Sequence, residues 1–120
     1  MYLITNRELS KGQGLSVFGK LPSAKGPNEV RIVDVNKKNN SWSVKVIQDK
    51  VSKETVKALK KKYSLDIDIN TQWHGSLRVA CELFERAQSE NKSILFYVHG
   101  YNNDVRDVIN AAHLIEKQYK

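Results

Sequence analysis

Cysteine is almost missing from this chain: Cys81 is the only one. An intrachain disulfide and a paired-thiol metal site are therefore both excluded. Proline is nearly as rare, with Pro22 and Pro27 confined to one stretch, so nothing else along the chain is barred from helix or strand on that account. Histidine occurs three times, as His74, His99 and His113, at spacings that match no zinc motif. No apolar run approaches the ~20 residues of a membrane-spanning helix. Gly-x-Ser-x-Gly does not occur, which removes the usual nucleophile elbow of a serine hydrolase. Gly14-Leu15-Ser16-Val17-Phe18-Gly19 comes near it, but its second glycine is one place late. No strand precedes it and no helix follows, so Ser16 is not read as a nucleophile. No Gly-Lys-Ser/Thr closes a glycine-rich loop, which excludes a phosphate loop. Repeats and low-complexity segments are absent.

What remains is one domain's worth of ordinary globular sequence. The 120 residues are 40% hydrophobic and 28% charged, enough for a core and too apolar for wholesale disorder. The net charge of +7 comes mainly from lysine. Such a balance suits either an anionic partner or a plain solvated surface. No basic motif is interleaved with aromatics, so a nucleic acid is not expected. Asn6, Arg7 and Glu8 interrupt the first nine residues, which is not the pattern of a signal peptide. The expectation is a cytoplasmic protein without a membrane association.

Taken in order, Tyr2 to Thr5 reads as a short strand. Residues 10 to 28 hold four glycines and both prolines and read as loop. From Glu29 to Asn36 the chain alternates, with Val30, Ile32 and Val35 expected inward. Trp42, Val44 and Val46 alternate with Ser43 and Lys45. Lys37 to Ser41 lies between as a turn, so the two runs form an antiparallel hairpin. Ser52 caps a helix running to Tyr63 with Val56, Leu59 and Tyr63 on one face. Lys57, Lys60, Lys61 and Lys62 on its other faces form a weak basic patch that could dock phosphate or an acidic partner. Trp73-His74-Gly75 forms a turn. A second helix runs to Ser89 with Leu77, Ala80, Cys81, Phe84 and Ala87 on one face. Cys81 is read there as a small core residue, and His113 as a half-buried or surface position of the last helix.

The stretch that organises the chain is Ile94-Leu95-Phe96-Tyr97-Val98-His99-Gly100-Tyr101-Asn102-Asn103. Its five apolar residues show no polar alternation and end sharply at His-Gly. That is the pattern of a strand buried on both faces, as in a parallel sheet. Asn102, Asn103 and Asp104 are good helix caps. Val105, Val108, Ile109, Ala112 and Ile115 then follow at helical spacing. Strand, tight turn and helix in this order expose backbone N–H groups at the strand end, where a ligand or a developing charge can meet them.

These ten residues resemble the oxyanion-loop segment of bacterial esterase/lipase-like α/β-hydrolases that carry His-Gly-Tyr-Asn after the third strand. The resemblance implies that the Tyr101 backbone N–H is half of an oxyanion hole and that His99 and Gly100 shape its loop. It implies an α/β fold, a truncated three-layer sheet with an antiparallel N-terminal hairpin and flanking helices, spanning residues 1–120 as one domain. The family's nucleophile, acid and base all follow the helix that ends this chain, so the chain alone is expected to be inactive. A small acyl substrate is implied only if the remaining elements are supplied, and no cofactor or metal is implied. The third strand of such a sheet is interior. With its later neighbours missing, it is expected to pair with a second copy, giving a homodimer through an exposed sheet edge. A non-catalytic basic module that binds an acidic protein or nucleic acid is the alternative.

Overall fold

The computed structural model describes residues 1–25, 30–99 and 104–119. In chain order it holds β1 (Tyr2–Thr5), β2 (Arg7–Leu9), a 3₁₀ turn (Gly14–Val17), β3 (Phe18–Pro22), β4 (Arg31–Lys38), β5 (Ser41–Val46), α1 (Lys53–Tyr63), α2 (Gly75–Ser89) and α3 (Val105–Gln118). The chain thus mixes α and β, with two small antiparallel sheets, β1-β4-β5 and β2-β3. The expected hairpin is β4-β5. Lys38 pairs with Ser41 across a two-residue turn, and Asn39 takes a φ of 54° there. Asparagine tolerates this left-handed backbone better than most residues. The β1 strand joins on the other side of β4, placing Leu3 opposite Val33 and Ile4 opposite Ile32.

The sequence reading of β4 holds for Val35 and fails for Val30 and Ile32. Val33 and Val35 point to the core and are fully buried, whereas Val30 is exposed and Ile32 lies on the opposite face. Because strand side chains alternate with a period of two, one position of phase moves a whole set across the sheet. Val33 and Val35 face Val46 and Val44 of β5, so the two strands build one continuous apolar surface. Ile109 of α3 covers it, and Leu3, Leu9, Leu15, Phe18 and Trp42 close the rim of the same cluster. Trp42 also meets His113 of α3 edge to face, with ring centroids 5.4 Å apart, a favoured aromatic geometry. The other face of the sheet belongs to α2: the Tyr2 hydroxyl donates to Glu82 at 3.1 Å. Burial and this hydrogen bond to an acid push the Tyr2 phenol above its ordinary pKa.

The helices α1 and α3 follow their sequence signals closely. Ser52 caps α1 by accepting from Thr55 N–H, and Asp104 caps α3 by accepting from Asp107 N–H. In α2 the inward set differs from expectation. Val79 and Cys81 are buried, whereas Ala80 and Phe84 are exposed.

Two larger corrections concern segments read from composition. Residues 10 to 28 are not simply loop, since β3 and the 3₁₀ turn lie inside them and β3 pairs with β2. Arg7 ties that pair together by donating to the Gly19 and Lys20 carbonyls. The glycines masked the strand because one of them permits close pairing: a Cβ on Gly19 would come within 2.9 Å of the Glu8 carbonyl oxygen. The second correction is the run Ile94 to Val98. It forms no strand, and Phe96 and Val98 are 80% and 90% exposed. A doubly buried strand is apolar because neighbouring strands and helices cover it. No other strand among the described residues pairs with this run.

Stability should therefore follow the observed core and not the apolar run. Ile109→Ala is expected to cost about 2–5 kcal/mol in urea unfolding. Phe96→Asp, although it alters the most apolar stretch, should change the stability of the monomer by less than about 0.5 kcal/mol.

Candidate functional site

Three regions compete as functional sites. The first is the His-Gly-Tyr-Asn segment. His99 is exposed at the end of the uncovered apolar run, and Gly100 and Tyr101 lie outside the described residues. The helix after them starts at Val105, and Asp104 adopts extended backbone before it.

The second is the basic patch on α1. Lys57, Lys60 and Lys61 line an open concavity of about 690 Å³ together with Leu65, Ile67 and Asp68. Lys60 is fixed there by donating to the Ile67 carbonyl at 2.6 Å. Lys62 does not join them. It turns towards α2 and pairs with Glu85 at 3.3 Å, beside the Tyr63 hydroxyl, which donates to the same carboxylate at 2.6 Å. The patch is thus three lysines instead of four, and the fourth holds two helices together. The Tyr63 hydroxyl and the Lys62 ammonium stabilise ionised Glu85 and pull its pKa below the usual carboxylate value.

The third region was not anticipated from sequence. Asp49 Oδ1 lies 3.5 Å from His74 Nδ1. The backbone brings them together: Gly75 N–H donates to the Asp49 carbonyl at 2.7 Å, Val51 N–H donates to the Trp73 carbonyl, and Lys50 bridges His74 as an isolated β-pair. His74 is thereby set at the N-cap of α2 in extended backbone. The junction depends on Gly75. A Cβ there would collide with the Gln48 carbonyl oxygen and approach Ile47 Cγ2 to 2.9 Å. Beside the pair is a cavity of about 320 Å³ between the second face of the sheet and the start of α2. Ile4, Ile32, Ile47, Asp49, His74 and Ser76 are among the residues that line it. The only hint in the sequence was the glycine after His74, which marked a tight passage but not its partner some twenty-five residues earlier.

Cys81 is buried, and desolvation raises its thiol pKa, which makes it a packing residue and a poor nucleophile. Among the described residues no group of three or more His, Cys, Asp and Glu could hold a metal ion. No helix among them is long and apolar enough to cross a membrane.

No family model, curated protein or solved structure matches the chain.

Two outcomes test these assignments. Gly75→Ala should destabilise the protein by about 1–3 kcal/mol through forced displacement at Gln48, read as a lowered unfolding temperature. Glu85 binds a proton less readily when folded than when unfolded. Its contribution is therefore present above the ordinary glutamate range and lost as pH falls through the folded value. An acid titration of unfolding stability should show this loss in the native protein and lack it in Glu85→Gln.

Proposed function

We propose that this chain supplies the opening strands and the oxyanion loop of an esterase/lipase-like α/β-hydrolase. The nucleophile, acid and base would come from polypeptide outside residues 1–120. The observation that carries the reading is the combination at residues 94 to 99. An uninterrupted apolar run sits uncovered on the surface, immediately before His-Gly-Tyr-Asn and a capped helix. Apolar surface of this kind is left when the strands meant to cover it are elsewhere. In the completed site the Tyr101 N–H would face the developing oxyanion of a small acyl ester, with His99 and Gly100 shaping the loop.

An oxyanion hole without a nucleophile stabilises a charge that never forms. Residues 1–120 alone should therefore show no turnover of short p-nitrophenyl esters above the buffer rate. The decisive measurement is the nucleotide sequence beyond the Lys120 codon. An in-frame strand followed by Gly-x-Ser-x-Gly is expected. A stop codon there would overturn the hydrolase reading.

Left alone, the 94–98 run has one economical cover, the same run of a second copy, joined about a two-fold axis. Light scattering over a range of concentrations should report a dimer of the 120-residue chain. A strict monomer throughout would refute the pairing.

The lysine concavity supports a second reading, a non-catalytic module that binds an acidic partner. It predicts that Lys57→Glu with Lys61→Glu abolishes salt-sensitive capture of a polyanion such as heparin. The hydrolase reading predicts no functional loss from that pair.

A further inference from the structure

The concavity on α1 is built from that helix and from the chain that returns beside it. Ser64 takes a left-handed φ of 53° at the end of α1 and turns the chain back. Leu65 N–H then donates to the Lys60 carbonyl. Lys60 Nζ donates to the Ile67 carbonyl at 2.6 Å, and Lys53 Nζ to the Asn70 side chain at 3.4 Å. Residues 65–70 therefore run back along α1, with lysines at the seam. Burial alternates in this segment: Leu65, Ile67 and Ile69 are half-buried, while Asp66 and Asp68 are exposed. That is the period of a strand, yet no strand among the described residues pairs with it. Building on the second reading above, we propose that this groove docks an extended acidic peptide of a partner protein, in which carboxylates alternate with aliphatic side chains.

The charge of the groove is the first reason. Lys57, Lys60 and Lys61 line it against a single carboxylate, Asp68. Asp68 is already engaged, since its Oδ1 accepts from Asn70 N–H at 2.8 Å. Lys60 is held by the Ile67 carbonyl. Lys57 and Lys61 are exposed, and their ammonium groups make no ion pair or hydrogen bond among the described residues. Two positive charges in the groove thus stand without a counter-charge.

Spacing selects the shape of the partner. Lys57 and Lys61 stand four residues apart on α1, about 6.0 Å along its axis. Alternate residues of an extended peptide stand roughly 6.6 Å apart on one face. Two carboxylates at such positions meet the two ammonium groups in register. The side chains between them turn to the opposite face, toward Leu65, Ile67 and Ile69. A helix, about 10–12 Å across, is too wide for a groove whose sides are tied together by the Lys60–Ile67 bond. The lining separates a peptide from a nucleic acid. Single-stranded nucleic acid is held by stacking its bases on aromatic side chains, and no aromatic ring lines this groove. Its apolar residues are all aliphatic.

The test uses the 120-residue protein and a fluorescein-labelled heptapeptide of alternating glutamate and valine, followed by fluorescence anisotropy. Saturable binding is expected with a dissociation constant on the order of 100 μM, since exposed ion pairs and a shallow groove contribute little. A peptide of the same composition, with its glutamates in one block and its valines in another, should bind about fivefold more weakly. Exchanging valine for serine in the alternating peptide should weaken it by a similar factor, through loss of the aliphatic contact. Lys57→Gln with Lys61→Gln should weaken the alternating peptide by about tenfold. Both side chains are exposed, and an unchanged thermal unfolding curve checks that the variant keeps its fold. The proposal is overturned if the alternating and block peptides bind alike, or if an oligothymidylate of equal charge binds more tightly than the alternating peptide. Heparin capture that depends on Lys57 and Lys61, with no saturable peptide binding, would overturn the peptide and leave the acidic-partner reading standing. Absence of both heparin capture and peptide binding would end both.

Discussion

The contact of Ile109 with Val33 and Val35 joins the last helix to the middle of the main sheet. Val33 and Val35 alone cannot make a core, since a sheet of three strands has too little apolar area to close on itself. Laying α3 across them buries Val33 and Val35 completely and partly covers Leu3, Trp42, Val44 and Val46 around them. It also fixes β1 and β5, whose inward residues belong to the same cluster. The Trp42–His113 contact and the Leu9, Leu15 and Phe18 side chains then seal the margins. Without that helix the strands would keep their hydrogen bonds but lose the surface that makes the pairing favourable.

The opposite face is organised by backbone contact and polar bonds more than by oil. The start of α2 is pressed against the Ile47–Asp49 segment so closely that only glycine fits at position 75. Tyr2 reaches Glu82 further along the helix. This face is therefore less tightly filled than the first, and a cavity survives between its two layers. The same close approach that leaves the cavity open also sets His74 beside Asp49, so the packing and the candidate chemistry have one origin.

Much of the local structure was legible in the sequence. Ser52 and Asp104 announced two helix starts, and the Lys37–Ser41 turn announced the hairpin, because caps and turns are written in the residues that make them. What was not legible depended on partners distant in sequence. Val35 was placed inward correctly, but Val30 and Ile32 could not be told from Val33, since all three are apolar and only the arrival of Ile109 decides between them. The β2-β3 pair was hidden by glycines, one of which, Gly19, admits the neighbouring strand. The 94–98 run showed the reverse problem. Its composition states what it needs as cover, and the described fold does not provide that cover. Of the candidate sites, the lysine patch was visible except for the diversion of Lys62 to Glu85. The Asp49–His74 pair was invisible, because its members meet only through a backbone crossing.

The position of Ile109 in the chain also has a consequence for synthesis. A ribosome releases β1, the hairpin, α1 and α2 long before it releases α3. Throughout that interval the apolar face of Val33 and Val35 waits uncovered, and the 94–98 run emerges just ahead of the helix that will complete the core. Two apolar surfaces are thus open at once in the nascent chain until α3 arrives to cover the first. The order of elements makes the interval before α3 emerges the moment of greatest exposure to misassociation, and the moment at which a chaperone would matter most.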